Sequence, residues 1–221
     1  GDPRLNWGDH ASPDAGLNGR RVYWPRGRVL GGSSSINAMA YVRGLPKDFD
    51  DWDSAGAHGW DWQAVRQTYD AMEAHCDGRG TGPIWVQNLS DQMHPFSRHF
   101  IDAAREVSFP TPEDMNEEGI TEYRSTVRNG RRWSAVDAFL RPAMTRSNLT
   151  VLTRAEVQAL TFEGARVSGL RYLHHGEERR AVAREVILSA GAINSPQILQ
   201  ISGIGPANML QSLGIPVQHD L

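Results

Sequence analysis

Two adjacent glycines, Gly31 and Gly32, run straight into three serines and then Ile36-Asn37, within GRVLGGSSSINAMAYVRGLPKDFD at residues 27–50. Glycine has no Cβ, so another group can approach the backbone closely at this bend. Hydroxyls and free N–H groups at a helix start form a cradle for an anion. Asn37 adds a side chain that both donates and accepts. Residues of these types in this order suit a phosphate-bearing cofactor.

The rest of the chain must hold that bend in place. It has 221 residues, 39% hydrophobic and 22% charged, with a formal charge of -3. That composition describes a globular chain long enough to bury a core. The charge gives no reason to expect nucleic acid as a partner. Cys76 is the single cysteine, which excludes an internal disulfide and a cysteine-built zinc site. No apolar run approaches the about 20 residues that span a bilayer. The chain shows no secretory signal and begins Gly1-Asp2-Pro3 without a methionine, so the natural N-terminus is expected further upstream.

Residues 1–26 are rich in turns. A helix is expected from Ser34 through Met39. Helical spacing over Asp61 to Ala74 puts Trp62, Val65, Tyr69 and Met72 on one face, as core packing. Ile84 to Val86 reads as a strand. Pro95 to Val107 reads as a helix with Phe96, Phe100, Ile101 and Ala104 inward, followed by a loop over 108–119. Asn129-Gly130 marks a hairpin turn. Ser134 caps a helix over Ala135 to Met144, with Asp137 closing a capping box. Strands are expected at Leu149–Leu152, Val157–Phe162 and Arg166–Leu173, and at Glu185–Ser189, whose continuous apolar run suggests cover on both faces. Ser195-Pro196 suits a helix start, Gly203 its end, and Gly205-Pro206 the start of another helix that stops at Gly214.

Other candidate chemistry is weaker. Asp48, Asp50, Asp51 and Asp53 lack the ligand spacing of a hard-cation loop and read as a solvated face. Ser195 has no G-x-S-x-G context. None of the eight histidines has motif context that would make it a base. No catalytic and no metal-ligating residue is therefore assigned.

Two segments carry a family resemblance. Gly27 to Asp50 resembles the first signature of the glucose-methanol-choline (GMC) flavoprotein oxidoreductases at Gly27, Arg28, Leu30, Gly31, Gly32, Ser33, Ser34, Ile36, Asn37, Tyr41, Gly44 and Asp50. GAINSPQILQISGIG, Gly191 to Gly205, resembles the second. The linking text agrees at Trp24-Pro25-Arg26-Gly27, Gly59-Trp60, Asn129-Gly130-Arg131-Arg132 and Pro142. The likeness is closest to the bacterial choline-dehydrogenase-like branch.

The resemblance implies an α/β chain of mixed α+β content: an incomplete FAD/NAD(P)-binding-type fold with part of the GMC substrate-binding domain. Residues 1–80 and 147–221 would belong to the FAD-binding domain and 81–146 to the substrate-binding domain. It implies FAD, and oxidation of a small-molecule alcohol by hydride transfer to the flavin by a dehydrogenase or oxidase. The FAD-binding set would be Val29, Gly31, Gly32, Ser33, Asn37, Ala38, Met39, Ala40, the Val157 backbone beside the adenine, and Ala190 and Gly191. Some relatives attach FAD through a histidine where Ile36 stands here, so binding should be non-covalent. The family's opening G-x-G-x-x-G and its active-site histidine have no counterpart in this chain, so the chain reads as an internal fragment that would not turn over alcohol alone. Two alternatives stay open: a non-catalytic FAD-binding module that works with another polypeptide, and a family lyase acting on a cyanohydrin. A cytoplasmic location is expected, with membrane association possible for a longer protein.

Overall fold

A computed structural model describes residues 2–113 and 117–221. The chain divides into two compact units, Gly1–Leu149 and Thr150–Leu221. Helix and strand are mixed in both. Among the described residues no helix is long and apolar enough to cross a membrane.

The first unit opens on turns. β1 (Asp9–His10) pairs antiparallel with β2 (Tyr23–Trp24). The glycine-serine segment follows and leads into β3 (Ala40–Tyr41). Next comes α1 (Pro46–Ser54), a helix that the sequence reading missed. Its acidic run is spent on local structure. Asp48 accepts from the Leu45 N–H at 2.9 Å and opens the helix. Asp50 accepts from Trp62 N–H at 2.9 Å, Asp53 accepts from Gly59 N–H at 2.8 Å, and Asp51 pairs with Lys47 at 2.6 Å.

α2 (Trp62–Met72) starts where Asp61 accepts from the Ala64 N–H at 3.0 Å, a side-chain cap. Phe49, 7% exposed, stacks on Trp62 at 5.6 Å and meets Trp52 edge-on at 5.3 Å. The aromatic face of α2 thus packs as expected, although its residues stay half-buried.

β4 (Glu73–His75) continues directly from α2 and pairs in parallel with β5 (Ile84–Val86). Parallel neighbours usually need a crossover of about a dozen residues. Here the loop over 76–83 returns along the other edge of β4. Gly82 N–H donates to the Glu73 carbonyl at 2.9 Å, and His75 N–H to the Arg79 carbonyl at 2.7 Å. A Cβ at Gly82 would stand 2.1 Å from the Met72 carbonyl carbon, so only glycine fits there.

α3 (Phe96–Glu106) forms as expected, but its face does not. Ala104 is buried, whereas Phe96 and Phe100 are 69% and 62% exposed. Helical period places all three on one side, so burial on that side is confined to its C-terminal end. Residues 114–116 of the loop expected over 108–119 lie outside the described residues.

β6 (Arg124–Ser125) pairs with β3, and Ser125 exchanges two backbone bonds of 2.8 Å with Gln87. β7 (Val127–Arg128) and β8 (Arg131–Arg132) form the hairpin that Asn129-Gly130 announced. Those two residues have φ of 51° and 71°, as the favoured two-residue turn requires. Ser134 donates its N–H and its hydroxyl to Asp137 at 3.1 and 2.7 Å. Only the Asp137 half of the expected capping box forms, since the Ser134 hydroxyl donates to Asp137 and caps no helix N–H. The helix begins as a π turn, Val136–Leu140, and ends as α4 (Arg141–Ala143).

The second unit has no strand at Leu149–Leu152. It begins with β9 (Ala155–Glu163), β10 (Arg166–His174) and β11 (Glu177–Val182), an antiparallel sheet in the order β11-β10-β9. β11 was not expected, because all its residues are exposed and show no apolar alternation. Glu185–Ser189 is not a strand, and Ile187 is 82% exposed. A run apolar on both faces needs a ladder partner and two covers, and the described residues of this unit supply neither.

α5 (Gly191–Ile201) starts at the Ala190-Gly191 bend. Ser195-Pro196 therefore lies inside the helix and does not open it. Ser202 ends α5, with Gly203 after it at φ 90°. β12 (Ile204–Gly205), α6 (Ala207–Ser212) and β13 (His219–Asp220) follow, with β12 and β13 parallel. Leu160, Ile198 and Leu210 form the core at 8%, 7% and 0% exposure. The Ser202 hydroxyl donates to the Ile198 carbonyl at 2.6 Å and accepts from Leu160 N–H at 2.8 Å, tying α5 to the edge strand β9.

Candidate functional site

The glycine-serine segment makes a bend and a short 3-10 turn, Gly32–Ser35. The helix expected through Met39 does not form. Serines offer the backbone side-chain bonds that compete with helix formation, and they do so here. Ser34 donates to the Gly31 carbonyl at 2.6 Å, and Ser35 to the Leu30 carbonyl at 2.8 Å. Ser33 accepts from Gly27 N–H at 3.2 Å. The three hydroxyls are thus committed to shaping the bend. A helix dipole contributes little to any anion grip at a turn this short.

Gly31 has φ 85° and Gly32 has φ 54°. A Cβ on Gly31 would lie 2.5 Å from the Ser35 hydroxyl and 3.0 Å from the Val136 methyl. A Cβ on Gly32 would meet nothing within 4 Å, so this side of the bend is open. Val29, Ser33, Asn37, Ala38 and Ala40 are exposed, while Gly31, Gly32 and Met39 are half-buried.

Beyond the turn the chain is strained and then pinned. Met39 adopts φ 62°, a left-handed conformation uncommon for a side-chain-bearing residue. The Asn37 Oδ1 accepts from Met39 N–H at 3.1 Å and from the Arg132 guanidinium at 2.6 Å. Arg132 also donates to the Ser34 carbonyl at 3.1 Å. The Met39 carbonyl accepts from Thr126 N–H at 2.9 Å, and the Ser34 hydroxyl accepts from Ala135 N–H at 3.0 Å. Ala40 is paired with Ser125. The hairpin of β7 and β8 and its flanks therefore hold the bend at both ends. Sequence reading recognised the hairpin turn but not this role, because the partners stand 85 to 101 residues away from the groups they hold.

The remaining candidates lie in the second unit. Val157 is on β9, an edge strand, opposite Tyr172. The register shifts between Arg171 and Tyr172, which leaves Gln158 as the extra residue of a bulge next to Val157. Bulges re-aim backbone groups and side chains near binding sites. Ala190 caps α5, and Gly191, at φ 90°, meets nothing within 4 Å of its Cβ position.

The first unit also holds a polar cluster that the sequence did not announce. The Glu73 side chain is 1% exposed. It accepts from Arg43 at 2.7 and 2.6 Å, from the Tyr41 hydroxyl, and bonds the His75 Nε2 at 2.8 Å. Arg124 approaches the His75 Nδ1 at 3.5 Å. Burial pushes the Glu73 pKa up, but the bonds from Arg43 and Tyr41, the Arg43 charge and His75 outweigh it and hold the carboxyl below its usual value. Burial first, then the Glu73 bond and charge, push the Tyr41 phenol far above its ordinary range. These groups line a cavity of about 730 Å³ with Trp62, Arg66 and Asp70. The i, i+2 pair Glu73/His75 was the available signal, since strand period puts both on one face of β4.

The family model described as GMC oxidoreductase matches residues 10–220. Over 225 residues the chain is 45% identical to the mitochondrial choline dehydrogenase of Homo sapiens, covering 98% of this chain and 38% of that enzyme. It is 37% identical to an alcohol dehydrogenase (acceptor) of Pseudomonas putida, covering 99% of this chain and 42% of the relative. Pyridoxine 4-oxidase from Mesorbium loti matches its fold with a TM-score of 0.92 at 35% identity, covering 98% of this chain and 44% of that one. The chain thus spans well under half the length of the relatives it matches.

Proposed function

Since this chain belongs to the GMC oxidoreductase family, we propose that it forms part of an FAD-dependent enzyme that oxidises the CH–OH carbon of a small, choline-like alcohol. Relatives bearing the names choline dehydrogenase and alcohol dehydrogenase support the substrate class. The observation that carries the cofactor reading is the half-buried but open-sided bend at Gly31-Gly32. It is open where a Cβ of Gly32 would stand, and its shape is fixed by internal bonds before any ligand arrives.

The residues fit the group. The backbone at Gly31, Gly32 and Ser33 would lie against the diphosphate, where no side chain blocks approach. Val29 and Asn37 through Ala40 would line the flavin. The edge position of Val157 would offer backbone to the adenine, and Ala190-Gly191 would provide a second open bend. Ile36 cannot form a covalent link, so attachment is non-covalent. Bound FAD would supply the acceptor for hydride leaving the alcohol carbon. The contribution of this chain is to grip and orient, and preorganised geometry of this kind removes several kcal/mol from a barrier. We assign no proton-accepting residue to it. Residues 1–80 and 147–221 are proposed as portions of the FAD-binding domain, and 81–146 as a portion of the substrate-binding domain. A cytoplasmic site of action, with association to a membrane surface open to the longer protein, completes the proposal.

The test is spectroscopic. The full-length protein containing this chain should carry a visible flavin spectrum that bleaches when a small alcohol is added without oxygen. Cyanohydrin cleavage with no bleaching by any alcohol would favour lyase chemistry. A purified protein that takes up no flavin would remove the cofactor reading altogether.

A further inference from the structure

Asn37 is exposed and stands at the end of the bend, yet half of its amide is already committed. Both groups pointing at its Oδ1, the Met39 N–H and the Arg132 guanidinium, can only donate. Rotating the amide by half a turn would set its NH2 against two donors, so a single orientation survives. Arg132 itself is half-buried. Its guanidinium bonds two neutral oxygens, Asn37 Oδ1 and the Ser34 carbonyl, and no carboxylate among the described residues pairs with it. Arg132 sits at the end of the β7–β8 hairpin, and that hairpin is anchored independently. Trp133 Nε1 donates to the Pro83 carbonyl at 2.8 Å, and Arg128 lies between the rings of Trp85 and Trp133 at 4.5 and 4.7 Å. The guanidinium is therefore delivered from a fixed platform.

We infer that Arg132 is a positioning residue for the cofactor: it bridges Ser34 and Asn37 and turns the Asn37 amide so that its NH2 is the group left to donate. The ligand atoms that suit this are acceptors, such as the carbonyl oxygens and unprotonated ring nitrogens of a flavin. The same bridge holds Met39 in its left-handed conformation through the shared Oδ1, so the entry into β3 and the donor are set by one contact. This inference rests on the FAD reading above.

The experiment uses the full-length protein, stripped of flavin and titrated with FAD by fluorescence quenching, with the melting temperature of the flavin-free form measured in parallel. Arg132→Ala should weaken FAD binding about ten- to hundredfold, the range for losing a charge-assisted bond. Arg132→Lys keeps the charge and enough donors for both oxygens, which one guanidinium nitrogen bonds here, but carries them on a shorter stem, and should lose less, yet measurably; it decides the same question where Arg132→Ala does not fold. In an Asn37→Ala background the Arg132 substitution should have little further effect, because it acts through that amide. A purely structural arginine would lower the flavin-free melting temperature and show the same loss with or without Asn37. A parent protein that takes up no FAD overturns the cofactor reading and this inference with it. A parent that binds FAD while Arg132→Ala and Arg132→Lys match it within about threefold, or losses that simply add to those of Asn37→Ala, overturn the inference alone.

Discussion

Replacing Glu73 with glutamine removes one negative charge from the least exposed polar residue among the described ones and changes little in volume. The Glu73 side chain is 1% exposed, that of Arg43 12% and that of His75 13%. Arg43 grips both carboxylate oxygens, and Tyr41 and His75 bond the same group. An amide can accept at one end only, so its NH2 must face a donor. Breaking a buried pair by removing one partner costs about 3–5 kcal/mol. Arg43 keeps a second contact to Asp70 at 3.0 Å, but that carboxylate is 56% exposed, which places the expected loss near the lower bound, about 3 kcal/mol. All seven tryptophans (residues 7, 24, 52, 60, 62, 85 and 133) fall within the unit that contains Glu73. Tryptophan fluorescence during urea unfolding of the 221-residue chain therefore reports that unit. The Glu73→Gln chain should lose about 3 kcal/mol, with a melting point lower by roughly 6–12 °C for a chain of this size. Tyr41→Phe, which removes one bond and no charge, should cost about 1 kcal/mol. A Glu73→Gln chain within about 0.5 kcal/mol of the parent would refute the claim that this carboxylate organises the unit.

Three further outcomes follow from the same structure. The Glu73 carboxyl is held below its usual value of 4.5, so its contribution is fully present above that pH and lost as pH falls through the depressed value; acid unfolding followed by fluorescence should shift to higher pH in Glu73→Gln. Gly31→Ala forces a side chain into φ 85° and onto the Ser35 hydroxyl, and should cost about 1–2 kcal/mol in urea unfolding together with a measurable loss of FAD affinity in the full-length protein. Ile187→Ser should change the stability of the 221-residue chain by less than about 0.5 kcal/mol, since Ile187 is 82% exposed, yet cost about 2 kcal/mol or more in the full-length protein if the apolar run is covered there.

Local chemistry was legible where it acts within a few residues. Asp61 caps a helix with its side chain, Asp137 reaches back to the Ser134 N–H, Asn129-Gly130 turns a hairpin, and Gly203 stops α5. Apolar runs misled wherever burial depends on something outside the local segment. Leu149–Leu152 and Glu185–Ser189 have strand composition but no ladder, and Phe96 and Phe100 have helical spacing but no cover. β11 went unnoticed for the opposite reason: its strand order comes from pairing with β10, while its residues are all exposed and four of the six are charged. At the site, the bend itself was visible in the glycines and in the family resemblance. Its supports were not, since Arg132 and Ala135 reach Asn37 and Ser34 across most of the first unit, and Arg43 reaches Glu73 across 30 residues. Spacing along a sequence carries no information about such pairs.

The measurement that bears most directly on this account is a crystal structure of the full-length protein with FAD bound. Gly31, Gly32 and Ser33 should lie against the diphosphate, with the Asn37 NH2 donating to an acceptor on the cofactor and Arg132 still seated on Oδ1. A dinucleotide found elsewhere on the protein, with the Gly31-Gly32 bend facing bulk water, would contradict it.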